Sequence, residues 1–234
     1  MTFGRPNALV VGSTGALGAA ASTDLQHNGF SVLRTARSNS RGGEQRTHLF
    51  DQNGLKDPTK IQSTSIHALV FAQGVNATDS IESLDQRQFE LIFEANVSLV
   101  IRIVKQLVDH DLLAANCRIA ILSSVWEIIA RGNRLSYMVS KAAIGGLVRS
   151  LAVDLGPRGT LVNGVLPGPV DTPMTRRMLP ESARDGLTRR QPTRQIVTPL
   201  DVARVTTFLV SERNSAITGQ SIVVDGGMSI YHDF

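Results

Sequence analysis

Cysteine is nearly absent: Cys117 is the only one among 234 residues. No disulfide can form within the chain, which fits a reducing, cytoplasmic setting. Cys117 opens the apolar run 117–122, so an inert thiol at the start of a buried strand is expected. No apolar stretch approaches the roughly 18 residues that a bilayer span requires. Residues 1–6 lack the apolar segment and small-residue cleavage site of a secretory signal, so neither a membrane nor export is expected. Lysine is scarce, confined to Lys56, Lys60, Lys105 and Lys141. Arginine carries most of the positive charge, and the net charge of +4 is mild. A nucleic-acid surface would need a basic stripe with interleaved aromatics, and none is present. Repeats, low-complexity stretches and linkers are missing too, which points to one domain over residues 1–234.

What is present is an alternation of short β-branched runs with longer amphipathic stretches. That is the pattern of βαβ units on a parallel sheet. Residues 7–12 form a continuous apolar run, as expected of a strand buried on both faces. Further strands are expected at 30–35, 47–50, 66–72, 117–123, 161–166 and 220–224, about seven in all. Helices are expected at 15–28 (closed by Gly29), 85–109, 136–155 and 199–210. Only a truncated helix fits between the third and fourth strands. The fold class is therefore α/β, a Rossmann-type doubly wound parallel sheet with helices on both faces. An Arg-rich, Pro-punctuated segment covers residues 168–199.

Gly12, Gly15 and Gly18, with Ser13, Thr14 and Leu17 between them, lie at the junction of the first strand and first helix. A dinucleotide pyrophosphate needs a tight turn, close backbone approach and a helix N-terminus at that place. Any strand–turn–helix junction favours glycine, so the βαβ setting is what gives the triplet meaning. At the end of the second strand an acid would bind the ribose hydroxyls of NAD and repel the extra phosphate of NADP. The run 34–38 contains no acid and offers Arg37 and Ser38, which suit a phosphate. NADP(H) is favoured, with NAD(H) the alternative if Arg37 is only a surface residue.

Tyr137 and Lys141 stand four apart on an expected helix and so share one face. Ile144, Val148 and Leu151 follow at successive turns, so the pair points the way the buried face does. Burial of a lysine is costly unless it is paired or used. Ser123 and Ser124 end the fifth expected strand, where open parallel sheets place ligands. Asn96 sits on the apolar face of the long helix, where a carboxamide needs partners. It is either a structural staple or a site residue.

These pieces together closely resemble the short-chain dehydrogenase/reductase family, in its short single-domain branch, over nearly the whole chain. The matching runs are 121–125, 137–143, 162–173, 217–220 and 224–227. The resemblance implies an NAD(P)-dependent enzyme interconverting a carbonyl and an alcohol. It assigns the catalytic serine to Ser124, thirteen positions before Tyr137, and the helix asparagine to Asn96. It implies that Tyr137 is the acid–base group and that Lys141 holds the nicotinamide ribose. In that scheme Lys141 and oxidised nicotinamide lower the tyrosine pKa from its reference of about 10. Asn96 would hold a water linking Lys141 to solvent. Asp51 takes the place of an adenine-binding aspartate. Pro167, Gly168, Val170 and Thr172 take the nicotinamide side, with Thr172 on its carboxamide. The family's Asn-Asn-Ala-Gly run appears as Phe71-Ala72-Gln73-Gly74, which leaves Ala72 and Gly74 lining the adenosine ribose. Ala16 replaces the family's second glycine. The spacing of Gly12, Gly15 and Gly18 is instead that of a longer, sugar-modifying branch, for which the chain is too short. No metal site is assigned.

In this family the segment after the sixth strand covers the substrate. Here it carries Arg176, Arg177, Arg184, Arg189, Arg190 and Arg194, and the loop 125–136 adds Arg131 and Arg134. They are either solvated surface charge or a site for an anionic substrate, bound by guanidinium forks. Trp126 is either a pocket wall or core. Two other readings are a nucleotide-sugar epimerase or dehydratase and a non-catalytic NADP-binding regulator. The apolar tail, residues 229–234, and the family's habit imply a homodimer or homotetramer.

Overall fold

Continuous apolar strands need cover on both faces, and this chain supplies it with helices of two sizes of contact residue. The computed structural model describes residues 5–37, 47–61, 65–172, 175–176, 186, 188–189 and 191–231. The strands are β1 (Asn7–Val11), β2 (Ser31–Arg37), β3 (Thr47–Asp51), β4 (Gly54–Leu55), β5 (Ile66–Phe71), β6 (Leu113–Leu122), β7 (Leu161–Pro167) and β8 (Ser221–Val224). The helices are α1 (Ala16–His27), α2 (Gln86–Phe93), α3 (Leu99–Asp109), α4 (Leu135–Leu155) and α5 (Pro199–Val210). The sheet order is β4-β3-β2-β1-β5-β6-β7-β8. All neighbours pair in parallel except β4, which turns back antiparallel on β3. The seven expected strands are thus present. β4 is an addition of two residues, too short to show a period in the sequence. The truncated helix before β5 is a single 3-10 turn, Pro58–Ile61.

The chain runs outward from β1 through β3, then returns to lay β5 on the other side of β1. That reversal opens the crevice at the C-terminal strand ends where α/β sheets bind ligands. Period-2 alternation sends Leu9, Val11, Leu69, Phe71, Ile119 and Ile121 into one core with Ile103 and Leu107 of α3 and Ile144 and Val148 of α4. Their neighbours Ala8, Val10, Ala68, Val70 and Ala120 face α1, meeting Ala21 and Leu25. Smaller side chains on that face let α1 sit close to the sheet. β6 begins at Leu113, four residues before Cys117, which is fully buried as expected.

One element departs from expectation. Residues 85–109 are two α-helices joined by a π-helical turn, Glu94–Ser98. Asp85 caps the first, accepting the Gln88 N–H at 2.8 Å. A π turn adds a residue to the helical repeat and is frequent at functional sites; Asn96 lies in its middle.

Candidate active site

The glycine turn is built by close contact. Gly12 has φ +81°, and a Cβ there would lie 2.7 Å from the Gln73 nitrogen. A Cβ on Gly18 would come within 2.2 Å of the Gly12 oxygen, so α1 and the turn touch backbone to backbone. The Gly15 N–H closes the turn on the Gly12 carbonyl at 3.2 Å. Buried Thr35 of β2 bolts it down: its hydroxyl accepts the Gly12 N–H at 3.3 Å and donates to the Val10 carbonyl at 3.2 Å. Ser13 adds its N–H (3.1 Å) and its hydroxyl (2.8 Å) to the Thr35 carbonyl. Gly15 caps α1 without a side-chain hydrogen bond, and the first turn contains no acid. The helix N-terminus is therefore open to an anion, and these residues fit a dinucleotide pyrophosphate. Thr14 is exposed beside it, and Leu17 packs with Ala72 against the third apolar cluster. Arg37 closes β2, while Ser38 lies outside the described residues. Asp51 ends β3 half-buried, its carboxylate accepting the Asn53 N–H at 2.8 Å.

Across the crevice, β6 ends in the two serines, and they diverge. The Ser123 hydroxyl turns to the Lys141 carbonyl at 3.4 Å. Ser124, extended at φ −165°, accepts the Trp126 N–H at 3.4 Å and hydrogen-bonds the Tyr137 side chain. The serine that faces the tyrosine is therefore Ser124. On α4 the Lys141 Nζ lies 5.6 Å from the centre of the Tyr137 ring and donates to the Leu122 carbonyl at 3.1 Å. A side chain at Gly74 would meet Asn96 Oδ1 at 3.4 Å and Lys141 Nζ at 3.7 Å, so glycine keeps that wall open.

Burial sets the electrostatics. It pushes the Tyr137 phenol above its usual 10.0, against the pull of the Ser124 hydrogen bond and the Arg134 charge. Desolvation of the phenolate thus outweighs both, a contribution that the expected lowering by Lys141 and oxidised nicotinamide did not include. Burial likewise lowers Lys141 to about 8, with the Glu127 carboxylate opposing.

Asn96 is fully engaged. Its Oδ1 accepts the Val75 N–H at 2.8 Å, and its Nδ2 donates to the Val75 carbonyl at 3.0 Å and the Ser140 hydroxyl at 2.9 Å. Both amide hydrogens are spent, which favours the staple over a side-chain water holder. The nicotinamide-side residues line up at the end of β7. Pro167 pairs with Val224, and Gly168 fits against Asp225, where a Cβ would lie 2.7 Å away. Val170 bridges Val197, and the Thr172 hydroxyl meets that of Thr175 at 3.0 Å.

Several arginines are already occupied. Arg176 makes a two-pronged ion pair with Asp171 at 2.7 Å, and Arg194 donates to the Arg189 carbonyl at 2.8 Å. Arg134 donates to Asn76 Oδ1 at 2.7 Å. Arg131 lies over the half-buried Trp126 ring at 5.9 Å. Arg177, Arg184 and Arg190 fall outside the described residues. Two positioning carboxylates went unforeseen. Asp79 is buried and accepts both the Ser136 N–H (3.1 Å) and the Ser136 hydroxyl. Glu127 accepts the Ser221 hydroxyl at 2.7 Å. Each partner is more than fifty positions away, so no local spacing signals the pair.

A family profile described as Enoyl-(Acyl carrier protein) reductase matches residues 53–229. The 3-oxoacyl-(acyl carrier protein) reductase FabG of Escherichia coli is 28% identical over 97% of this chain and 99% of its own. A glucose 1-dehydrogenase of Gluconobacter oxydans is 28% identical over 99% of this chain and 95% of its own. The ligand-free aldohexose dehydrogenase of Thermoplasma acidophilum superposes with a TM-score of 0.86 at 25% identity, covering 98% and 96% of the two chains. A gluconate 5-dehydrogenase of Burkholderia cenocepacia, solved with NADP and tartrate, shares the fold at a TM-score of 0.84 and 19% identity, over 97% and 96%. With a profile spanning most of its length and relatives aligned end to end, the chain belongs to the short-chain dehydrogenase/reductase family and is an NAD(P)-dependent oxidoreductase.

Proposed function

We propose that this protein is an NADP(H)-dependent reductase that interconverts a carbonyl and an alcohol on a small substrate with an anionic group. One observation carries the reading. The Tyr137 phenol, its hydrogen-bonded Ser124 and the Lys141 amine meet at the C-terminal end of β6, on the same sheet edge as the glycine turn. Gly12, Ser13, Thr14, Gly15, Leu17 and Gly18 would cradle the pyrophosphate. Arg37 and Ser38 would take the 2′-phosphate, Asp51 the adenine, Ala72 and Gly74 the ribose, and Pro167, Gly168, Val170 and Thr172 the nicotinamide. The same fold carries NADP in the Burkholderia enzyme.

When bound, the dinucleotide supplies or receives the hydride. The protein's part is the proton. Burial keeps the Tyr137 phenol protonated at neutral pH, which suits donation to a carbonyl oxygen that is gaining negative charge. Ser124 would hold that oxygen with its hydroxyl. Lys141, still mostly charged at neutral pH with its pKa of about 8, would steady the ribose and favour the phenolate left behind. Arg131, exposed on the loop between Ser124 and Tyr137, supports the anionic group, since a guanidinium binds carboxylate or phosphate with two hydrogens. The exposed apolar Leu91, Ile101, Val153 and Ile230 support a homodimer or homotetramer.

The test is loss of absorbance at 340 nm with NADPH and paired neutral and acidic ketones or aldehydes at low and high salt. Faster turnover of acidic substrates, weakened by salt, is expected. No oxidation with any carbonyl would overturn the activity. Equal rates on both classes without salt dependence would remove the anionic part alone.

A further inference from the structure

Glu127 is a carboxylate in an unusual place. It ends the 3-10 turn Val125–Glu127 that follows Ser124, and it points inward between α4 and β8. Its Oε1 accepts the Ser221 hydroxyl at 2.7 Å, and its Oε2 is buried with no hydrogen-bond partner. The carboxylate rests on α4 at Gly145, where a Cβ would lie 2.5 Å from Oε1. Any larger residue at 145 would evict it. Gly145 is one turn beyond Lys141 and two beyond Tyr137, on the same buried stripe of the helix. A buried carboxylate oxygen left unpaired is costly, and such a cost points to a charge elsewhere that the carboxylate answers.

We propose that Glu127 is a positioning residue for the active site, the counter-charge that holds the buried Lys141 side chain as an ammonium. The groups around Lys141 support it. From α4 comes Tyr137, and from the π turn Asn96, whose carboxamide is spent on Val75 and Ser140. From β6 comes the Leu122 carbonyl, which accepts the amine at 3.1 Å. From the loop after β5, uncharged Gly74 faces the amine. Arg134 acts on Tyr137 and brings positive charge. Among the described residues, Glu127 is the charged group that favours the protonated lysine, opposing the burial that disfavours it. The room at Gly145 keeps that charge in place, and the Ser221 hydroxyl meets one of its oxygens.

The inference rests on the proposed binding of NADP(H) beside Lys141, and its test separates the two. NADPH binding to the full chain is followed by fluorescence titration from pH 6 to 9.5, in the native protein and in Glu127→Gln and Ser221→Ala. In the native protein the affinity should weaken above about pH 8 as Lys141 loses its proton. In Glu127→Gln, which keeps shape but not charge, that alkaline limb should move about one unit lower. Affinity at pH 6.5 should be unchanged, and at pH 8.5 it should be several-fold weaker. Ser221→Ala removes that hydroxyl's hydrogen bond but not the charge, and its limb should stay near the native position. A limb unmoved by Glu127→Gln, or moved equally by Ser221→Ala, overturns the inference. No NADPH binding by the native protein at any pH would instead overturn the proposed function.

Discussion

Tyr137 and Lys141 show how one environment acts oppositely on two groups. Desolvation disfavours charge, so it raises the phenol and lowers the amine, and both neutral forms gain. The resting site is therefore poised to give a proton rather than to take one. Tyr137→Phe should cut kcat for carbonyl reduction by about 10³-fold while NADPH affinity, read by fluorescence titration, stays within about twofold. Equal loss of both would mean that the hydroxyl holds the cofactor instead. The Tyr137 and Lys141 pair and the two serines at the strand end were legible from spacing, because a helix face and a strand end are local geometry, while the choice of Ser124 over Ser123 came from the family resemblance. Asn96 was legible as a buried amide, staple or site residue, but the choice between them was not, since its partners Val75 and Ser140 lie 21 and 44 residues away. The direction of the tyrosine shift was not legible, because it depends on burial that only the folded chain sets.

At the scale of elements, α4 is the scaffold of the site, and its N-terminus is anchored from a distance. Arg134 caps the helix with no side-chain hydrogen bond. Asp79 does that work from the loop after β5, receiving the Ser136 N–H and hydroxyl while its backbone carbonyl accepts the Leu135 N–H at 3.2 Å. Asp79→Ala leaves those buried donors unpaired and should cost about 2–4 kcal/mol in urea unfolding. Activity should fall as well, since Tyr137 sits at the first turn of α4. Loss of less than about 0.5 kcal/mol would show that solvent replaces the carboxylate. The strands and helices themselves were readable from their apolar periods. The π turn was not, because an inserted residue leaves the apolar stripe of residues 85–109 nearly in phase over so short a length.

For the whole molecule, the buried titratable groups shape stability against pH. Lys141 titrates near 8 when folded and 10.5 as a free side chain, so between these values the unfolded chain binds more protons and stability rises with pH. Cys117 is pushed from 9.0 to about 12 by burial, so above pH 9 the folded chain holds the extra proton and stability falls. Of these shifted groups only Lys141 acts between pH 8 and 9. Across that interval the native protein should gain on Lys141→Met by up to about 1.4 kcal/mol per pH unit, measured by denaturant unfolding. A gap that does not change with pH would place the amine in water. Fold class and sheet direction were plain in the sequence because a parallel sheet must be apolar throughout. The arginines of the segment 168–199 and of the loop 125–136 stayed open between surface charge and an anion site, because charge count cannot show that Asp171 and backbone carbonyls engage Arg176, Arg194 and Arg134.

The bolt formed by Thr35 ties the glycine turn and the outer end of β2 into one stiff piece. In the proposed site, phosphate grip and coenzyme choice would be mounted on a common frame yet made by different atoms, the backbone of the turn for the first and Arg37 and Ser38 for the second. Such a frame would let coenzyme preference be retuned without loosening the grip. Thr35→Val tests that independence. It keeps the shape of the strand but frees the turn, and NADH and NADPH affinities should then weaken by the same factor in paired titrations.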